Sequence, residues 1–256
     1  MAFAQATSRS IPGAVATVGV SDRVDFLRKT YGLLGISLIA LAVITGGMMA
    51  FMTQTSLRFS LWAFSGWSWL LVLGLFMVVG IVAQKLAHSA TSRAVQLLGL
   101  GIAVVAQAIL LQPLLWIVML KFGNADAVRA GYVGMSSQAN NIIVQAVVIT
   151  LAIFIGLTAT VFITKKDFSF LRGILMVSTF AALGVIVASM LFGFSLGLIF
   201  IGLMIVVMGG YILYQTSLML NEFPPTAYVA AALMLFSTVA TLFWYVLQLL
   251  MSIHRR

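Results

Sequence analysis

Long apolar runs without a single charge alternate along the chain with short polar segments that hold every Lys, Arg, Asp and Glu. The runs fall at 30–52, 60–84, 94–118, 141–164, 173–192, 195–219 and 227–251. Each is close to the roughly 20 residues that carry an α-helix across a bilayer. The pattern therefore predicts an all-α polytopic membrane protein with seven transmembrane helices. Between Arg172 and Glu222 there is no charge, and the apolar stretch is far too long for one crossing. A tight turn is required there, and Gly193 with Ser195 supplies it. The third run carries Pro113 directly after Gln112. Proline removes an amide from the helical ladder, so neighbouring groups must satisfy the freed carbonyl.

Ahead of these runs, residues 21–29 (SDRVDFLRK) predict a short interfacial helix. Ser21 would cap it, Asp22 and Asp25 would sit in its first turn, and Arg28 and Lys29 in its last, as the helix dipole favours. Asp25 is also spaced to pair with Arg28 or Lys29. Residues 1–20 are small and polar with one charge, Arg9. They predict a disordered tail, without the basic start and apolar core of a signal peptide. Residues 21–256 are expected to form a single membrane domain.

Composition agrees with lipid as the solvent. The chain is 62% hydrophobic and 7% charged, against about 25% charged in a soluble domain. Its net charge of +9 does not point to nucleic acid, because no basic stripe is free of a span. Lys and Arg gather instead at span ends, where they meet anionic headgroups. One side would hold nine of them: Arg9, Arg23, Arg28, Lys29, Lys85, Arg93, Lys165, Lys166 and Arg172. The other would hold five: Arg58, Lys121, Arg129, Arg255 and Arg256. This asymmetry predicts a cytoplasmic N-terminus and, with seven spans, an external C-terminus; the expected location is the inner (plasma) membrane. The terminal Arg pair pulls the other way.

Candidate chemistry is thin. The absence of cysteine removes disulfides, thiolate nucleophiles and cysteine metal sites. Gly193-Phe194-Ser195-Leu196-Gly197 matches the G-x-S-x-G elbow, but an elbow needs a strand before it and a histidine base. His88 and His254 both lie outside the spans. The acids are dispersed, so neither an intramembrane aspartyl protease nor a metal centre is expected, and no phosphate-cradling loop is present. The reading is of a protein that is not an enzyme and has no cofactor or metal.

Polar side chains inside the spans remain: Gln84, Gln96, Gln107, Gln112, Gln145, Gln215, Thr238, Thr241 and Gln248. Gln107, Gln112, Gln215 and Thr238 lie deepest, and Tyr211 and Tyr214 flank Gln215. Such groups either bond across helices as packing glue or line a cavity.

Several stretches together resemble one family. "FLRKTYGLLGISL" (26–38), "LLQPLL" (110–115), "AVVITLAIFIGL" with "ITKKDFSFL" (146–157 and 163–171) and "YILYQTSLML…YVAAALMLF" (211–236) are similar, in order and spacing, to Bax-inhibitor-type membrane proteins. The resemblance covers roughly residues 21–251. It implies a seven-helix fold with the last helix central, and a group associated with passive calcium leak, pH sensing and stress-linked protection from cell death. Some bacterial relatives modulate a membrane-anchored quality-control protease. In the leak-type members two aspartates on the last two helices share a proton, and two close carboxylates do not both ionise cheaply in low dielectric.

This chain departs from that pattern at both positions. Gln215 stands where the resemblance implies the first aspartate, in Tyr214-Gln215-Thr216, and Thr238 stands where it implies the second. The pair can hydrogen-bond, but neither member titrates near neutral pH. Lys165, Lys166 and Asp167 form the implied loop motif after the fourth span. Two functions follow as expectations. One is a passive calcium leak without the di-aspartate gate. The other is a subunit or modulator of a larger membrane complex. The expected partners are the lipid bilayer, calcium ions and another membrane protein, and not nucleic acid.

Overall fold

The computed structural model describes residues 11–65, 67–89, 92–123 and 137–254. The expected features at Arg9, Asp126, Arg129 and Arg255–Arg256 lie outside the described residues. Eight α-helices follow in order: α1 (Val20–Phe51), α2 (Thr53–Ala63), α3 (Ser68–Ala87), α4 (Arg93–Phe122), α5 (Ser137–Thr164), α6 (Leu171–Phe192), α7 (Leu198–Asn221) and α8 (Tyr228–Ile253), with a 3-10 turn at Pro225–Ala227. All but α2 are long and apolar enough to cross a membrane. The chain is thus an all-α, multi-pass membrane protein.

Three boundaries differ from the sequence pattern. No separate interfacial helix precedes the first span: α1 runs unbroken for 32 residues, and Ser21 lies inside its first turn rather than capping it. Nothing between Thr30 and Gly35 forbids helical backbone, so the helix continues through the polar-to-apolar change. Asp25 does pair with Lys29, at 2.6 Å. The second span begins at Ser68 rather than residue 60, because residues 53–63 form a helix of their own. Charge counting does not find that break, since Phe64 to Trp67 are uncharged. Finally, residues 11–16, expected in a disordered tail, are held by backbone hydrogen bonds to the end of α7.

The described helices group into two compact units. The first, Tyr31–Val147, contains most of α1, then α2, α3, α4 and the start of α5. Within it α3 and α2 both pack on α4. Ser92 caps α4, accepting from the Val95 amide at 3.3 Å. The α3–α4 approach depends on Gly99: a Cβ there would lie 2.6 Å from the Ala83 carbonyl oxygen. A larger residue would have to push the two backbones apart. Pro113 sits inside α4, which nonetheless continues to Phe122.

The second unit, residues 11–30 with 148–254, contains the end of α5, then α6, α7 and α8. Here α7 packs on both α6 and α8. Gly193, at φ +74°, ends α6 in the left-handed conformation that the turn demands. Burial is heaviest on α8, the helix expected to be central. Fourteen of its 26 residues are buried, against two of 22 in α6.

Candidate functional site

The second unit brings Gln215 and Thr238 together. α7 presents Gln215 and α8 presents Thr238, and the Thr238 hydroxyl donates to Gln215 Oε1 at 2.8 Å. The same hydroxyl lies 3.3 Å from the Met234 carbonyl one turn back on α8. Both side chains are buried, at 9% and 6% exposure. The pair is therefore a neutral contact between the last two helices, with an amide and a hydroxyl as its only side-chain functions. It can donate and accept hydrogen bonds, but it cannot exchange a proton near neutral pH.

Two neighbours of Gln215 extend the polar stretch. Thr216 is fully buried, and its hydroxyl has no hydrogen-bond partner among the described residues. Buried hydroxyls are nearly always satisfied by protein or by water; those of Thr30, Thr45, Thr150 and Thr158 are in the same state among the described residues. Ser217, also buried, points to the loop after α5. It accepts from the Phe168 amide at 3.1 Å and donates to Asp167 Oδ1 at 3.3 Å. Asp167 Oδ1 also accepts from the Ser169 amide at 2.9 Å, closing a local turn. Successive helical residues point about 100° apart, which is how Gln215, Thr216 and Ser217 reach three different surroundings.

Asp167 is thus engaged with α7, while Lys165 and Lys166 are exposed. The loop motif divides into an anchor and two free cationic heads facing outward. Tyr214 is only partly buried, and among the described residues it makes no hydrogen bond to the Gln215 or Thr238 side chain. Tyr211 does make a cross-helix contact: its hydroxyl lies 2.7 Å from Thr179 Oγ1 on α6.

The first unit holds a different polar cluster. Gln112 on α4 is completely buried. Its Oε1 accepts from Ser56 Oγ at 2.6 Å, and its Nε2 donates to the Thr45 carbonyl of α1 at 3.1 Å. Trp116, one turn on, donates its indole N–H to the same Ser56 hydroxyl at 2.7 Å. Three helices are tied by four groups. Gln107 is buried as well, but no contact joins it to this cluster.

Sequence reasoning singled out Gln112, Gln215, Thr238 and Asp167, but missed Ser56, Trp116, Thr216 and Ser217. A serine or threonine next to a deep amide is a weak signal, because these small hydroxyls also bond to their own helix. Ser217, two residues after Gln215 at the same polar helix end as the loop, could have been found. Ser56 could not, since its helix was not expected.

Comparison with known proteins gives one consistent result. The family described as inhibitor of apoptosis-promoting Bax1 matches residues 23–255. The chain is 29% identical over 245 residues to "Bax inhibitor 1" of Schizosaccharomyces pombe, covering 92% of this chain and 79% of that protein. It is 24% identical over 242 residues to the "Golgi anti-apoptotic protein" of vaccinia virus, covering 93% and 89%. A shorter match, 27% over 116 residues, is to mouse "Protein lifeguard 4", covering 45% and 49%. No solved structure matches the chain.

Proposed function

The chain belongs to the family of Bax1 inhibitors, and from that membership we propose that it is a passive cation leak, acting on calcium, whose gate does not titrate. The carrying observation is the buried Gln215–Thr238 hydrogen bond between α7 and α8. Conduction requires a site that an ion can enter and also leave. Calcium is held firmly by several charged oxygens, and this pair offers two neutral ones. Such a site passes an ion without storing it. The viral relative is named as anti-apoptotic and the yeast relative as an inhibitor of Bax, which fits a role in ion homeostasis under stress.

The same neutrality favours a second reading, as a subunit or modulator of a larger membrane complex, with the pair serving only to hold α7 to α8. Purified protein in calcium-loaded liposomes separates the two. Under the leak reading, calcium escapes faster than from empty liposomes, and the rate falls when Gln215 is replaced by Leu. Under the second, calcium is retained and a mild-detergent pull-down returns a stoichiometric membrane partner.

We also place the N-terminus and the Lys165–Lys166 loop in the cytoplasm, on the nine-to-five distribution of Lys and Arg. A topology reporter fused after Lys166 should read cytoplasmic, and one fused at Asp126 external.

A further inference from the structure

The last turn of a helix leaves carbonyls without intrahelical partners. α7 ends at Asn221 without a left-handed cap, since Glu222 has φ −121°. Its final carbonyls are satisfied from a distant part of the chain. The Ile11 amide donates to the Asn221 carbonyl at 3.1 Å, and the Ala16 amide to the Leu220 carbonyl at 2.8 Å. The Val15 amide donates to the Phe223 carbonyl at 3.0 Å. Ala14 and Val15 are buried, at 2% and 0% exposure. Ile11, Ala16 and Thr17 are exposed on either side of them.

The segment is also folded on itself. Thr17 Oγ1 accepts from the Gly13 amide at 3.1 Å and donates to the Ala14 carbonyl at 2.8 Å. It is a compact turn resting on a helix end by main-chain bonds and one buried valine. A relay runs inward from it. Asn221, whose carbonyl takes Ile11, also donates its side-chain amide to Ser217 Oγ at 3.3 Å. Ser217 in turn holds Asp167. The strap and the loop after α5 thus meet on the same turn of α7. Gln215 lies six residues before Asn221, about 9 Å along the helix at 1.5 Å per residue.

We propose that residues 11–17 are a displaceable, autoinhibitory strap that closes water access to the Gln215–Thr216–Ser217 end of α7. Its effect on ion flux rests on the leak reading; its effect on access to α7 does not. When the strap leaves, the carbonyls of Leu220 and Asn221 lose their partners and the last turn of α7 opens to water. With the strap in place, the unpartnered Thr216 hydroxyl stays sealed.

The absence of native cysteine makes the test direct. Thr216→Cys, in full-length protein in liposomes, reports access through its labelling rate by a small water-soluble maleimide. Adding Val15→Asp, which places a charge at the buried contact, should speed labelling at least threefold and raise calcium flux in the otherwise native chain. An unchanged labelling rate overturns the proposal. Faster labelling with no flux from any variant upholds the strap and overturns the leak reading. If Val15→Asp does not fold, the pair Ile11→Cys with Asn221→Cys replaces it. Oxidation should then slow hydrogen exchange at residues 216–222 severalfold, reversibly with reductant, and exchange indifferent to oxidation overturns the strap.

Discussion

Two of the buried glutamines, Gln112 and Gln215, are the same residue and are used differently. Gln112 has both ends of its amide engaged, by Ser56 and by the Thr45 carbonyl, and Trp116 completes the cluster. Among the described residues Gln215 has one bond, from Thr238; a buried hydroxyl without a partner stands near each amide, Thr45 at the first site and Thr216 at the second, so the contrast lies in the amides. A satisfied network fixes one arrangement of helices, while a sparse one leaves hydrogen-bonding capacity for something that comes and goes. The first cluster is glue and the second is the candidate gate. The number of bonds that the amide makes distinguishes them.

Stability should follow that division. Gln112→Leu leaves the Ser56 O–H without its acceptor and takes the side-chain donor from the Thr45 carbonyl, and leaving buried groups unpaired costs about 1–3 kcal/mol. Thermal unfolding in nanodiscs should show a clear drop in midpoint. A drop no larger than that of Gln215→Leu would erase the distinction between the clusters. Trp116→Phe keeps an aromatic ring but removes the donor to Ser56 and leaves space where the buried indole stood, so the expected loss is about 1–2 kcal/mol. Combined with Gln112→Leu it should add less than its single value, because both act on Ser56. Thr238→Val removes the single interhelical bond at the second site. Such bonds average about 0.6 kcal/mol in membranes, so its midpoint should barely move while its calcium flux changes.

The positions of the spans were largely legible, because a chain in lipid must carry its charges outside the apolar runs. Gly193 marked the turn between α6 and α7 for the same elementary reason that it adopts φ +74°. The beginnings of α1 and α3 were not legible. α2 is short and polar and carries Arg58, but no charge marks the break at 64–67 that divides it from α3. The strap was hidden for another reason: Val15 and Ala16 meet partners more than 200 residues away, and no local pattern encodes that. At the site, the pairing of Gln215 with Thr238 followed from the resemblance. The role of Ser217 depended on the turn that Asp167 adopts.

The central claim is that the last two helices meet through a pair that does not titrate. Calcium flux from liposomes, measured from pH 5 to 8, tests it most directly. Neither an amide nor a hydroxyl changes charge in that range. The native protein should therefore give a flux that is flat with pH. Gln215→Asp with Thr238→Asp should restore a close carboxyl pair, one member of which keeps its proton to higher pH because two charges at this separation repel. Flux through the double variant should then change severalfold across the range. A native flux that already changes severalfold between pH 5 and 8 would contradict the account and move the sensing to another acid, with Asp167 and Glu222 the first to replace.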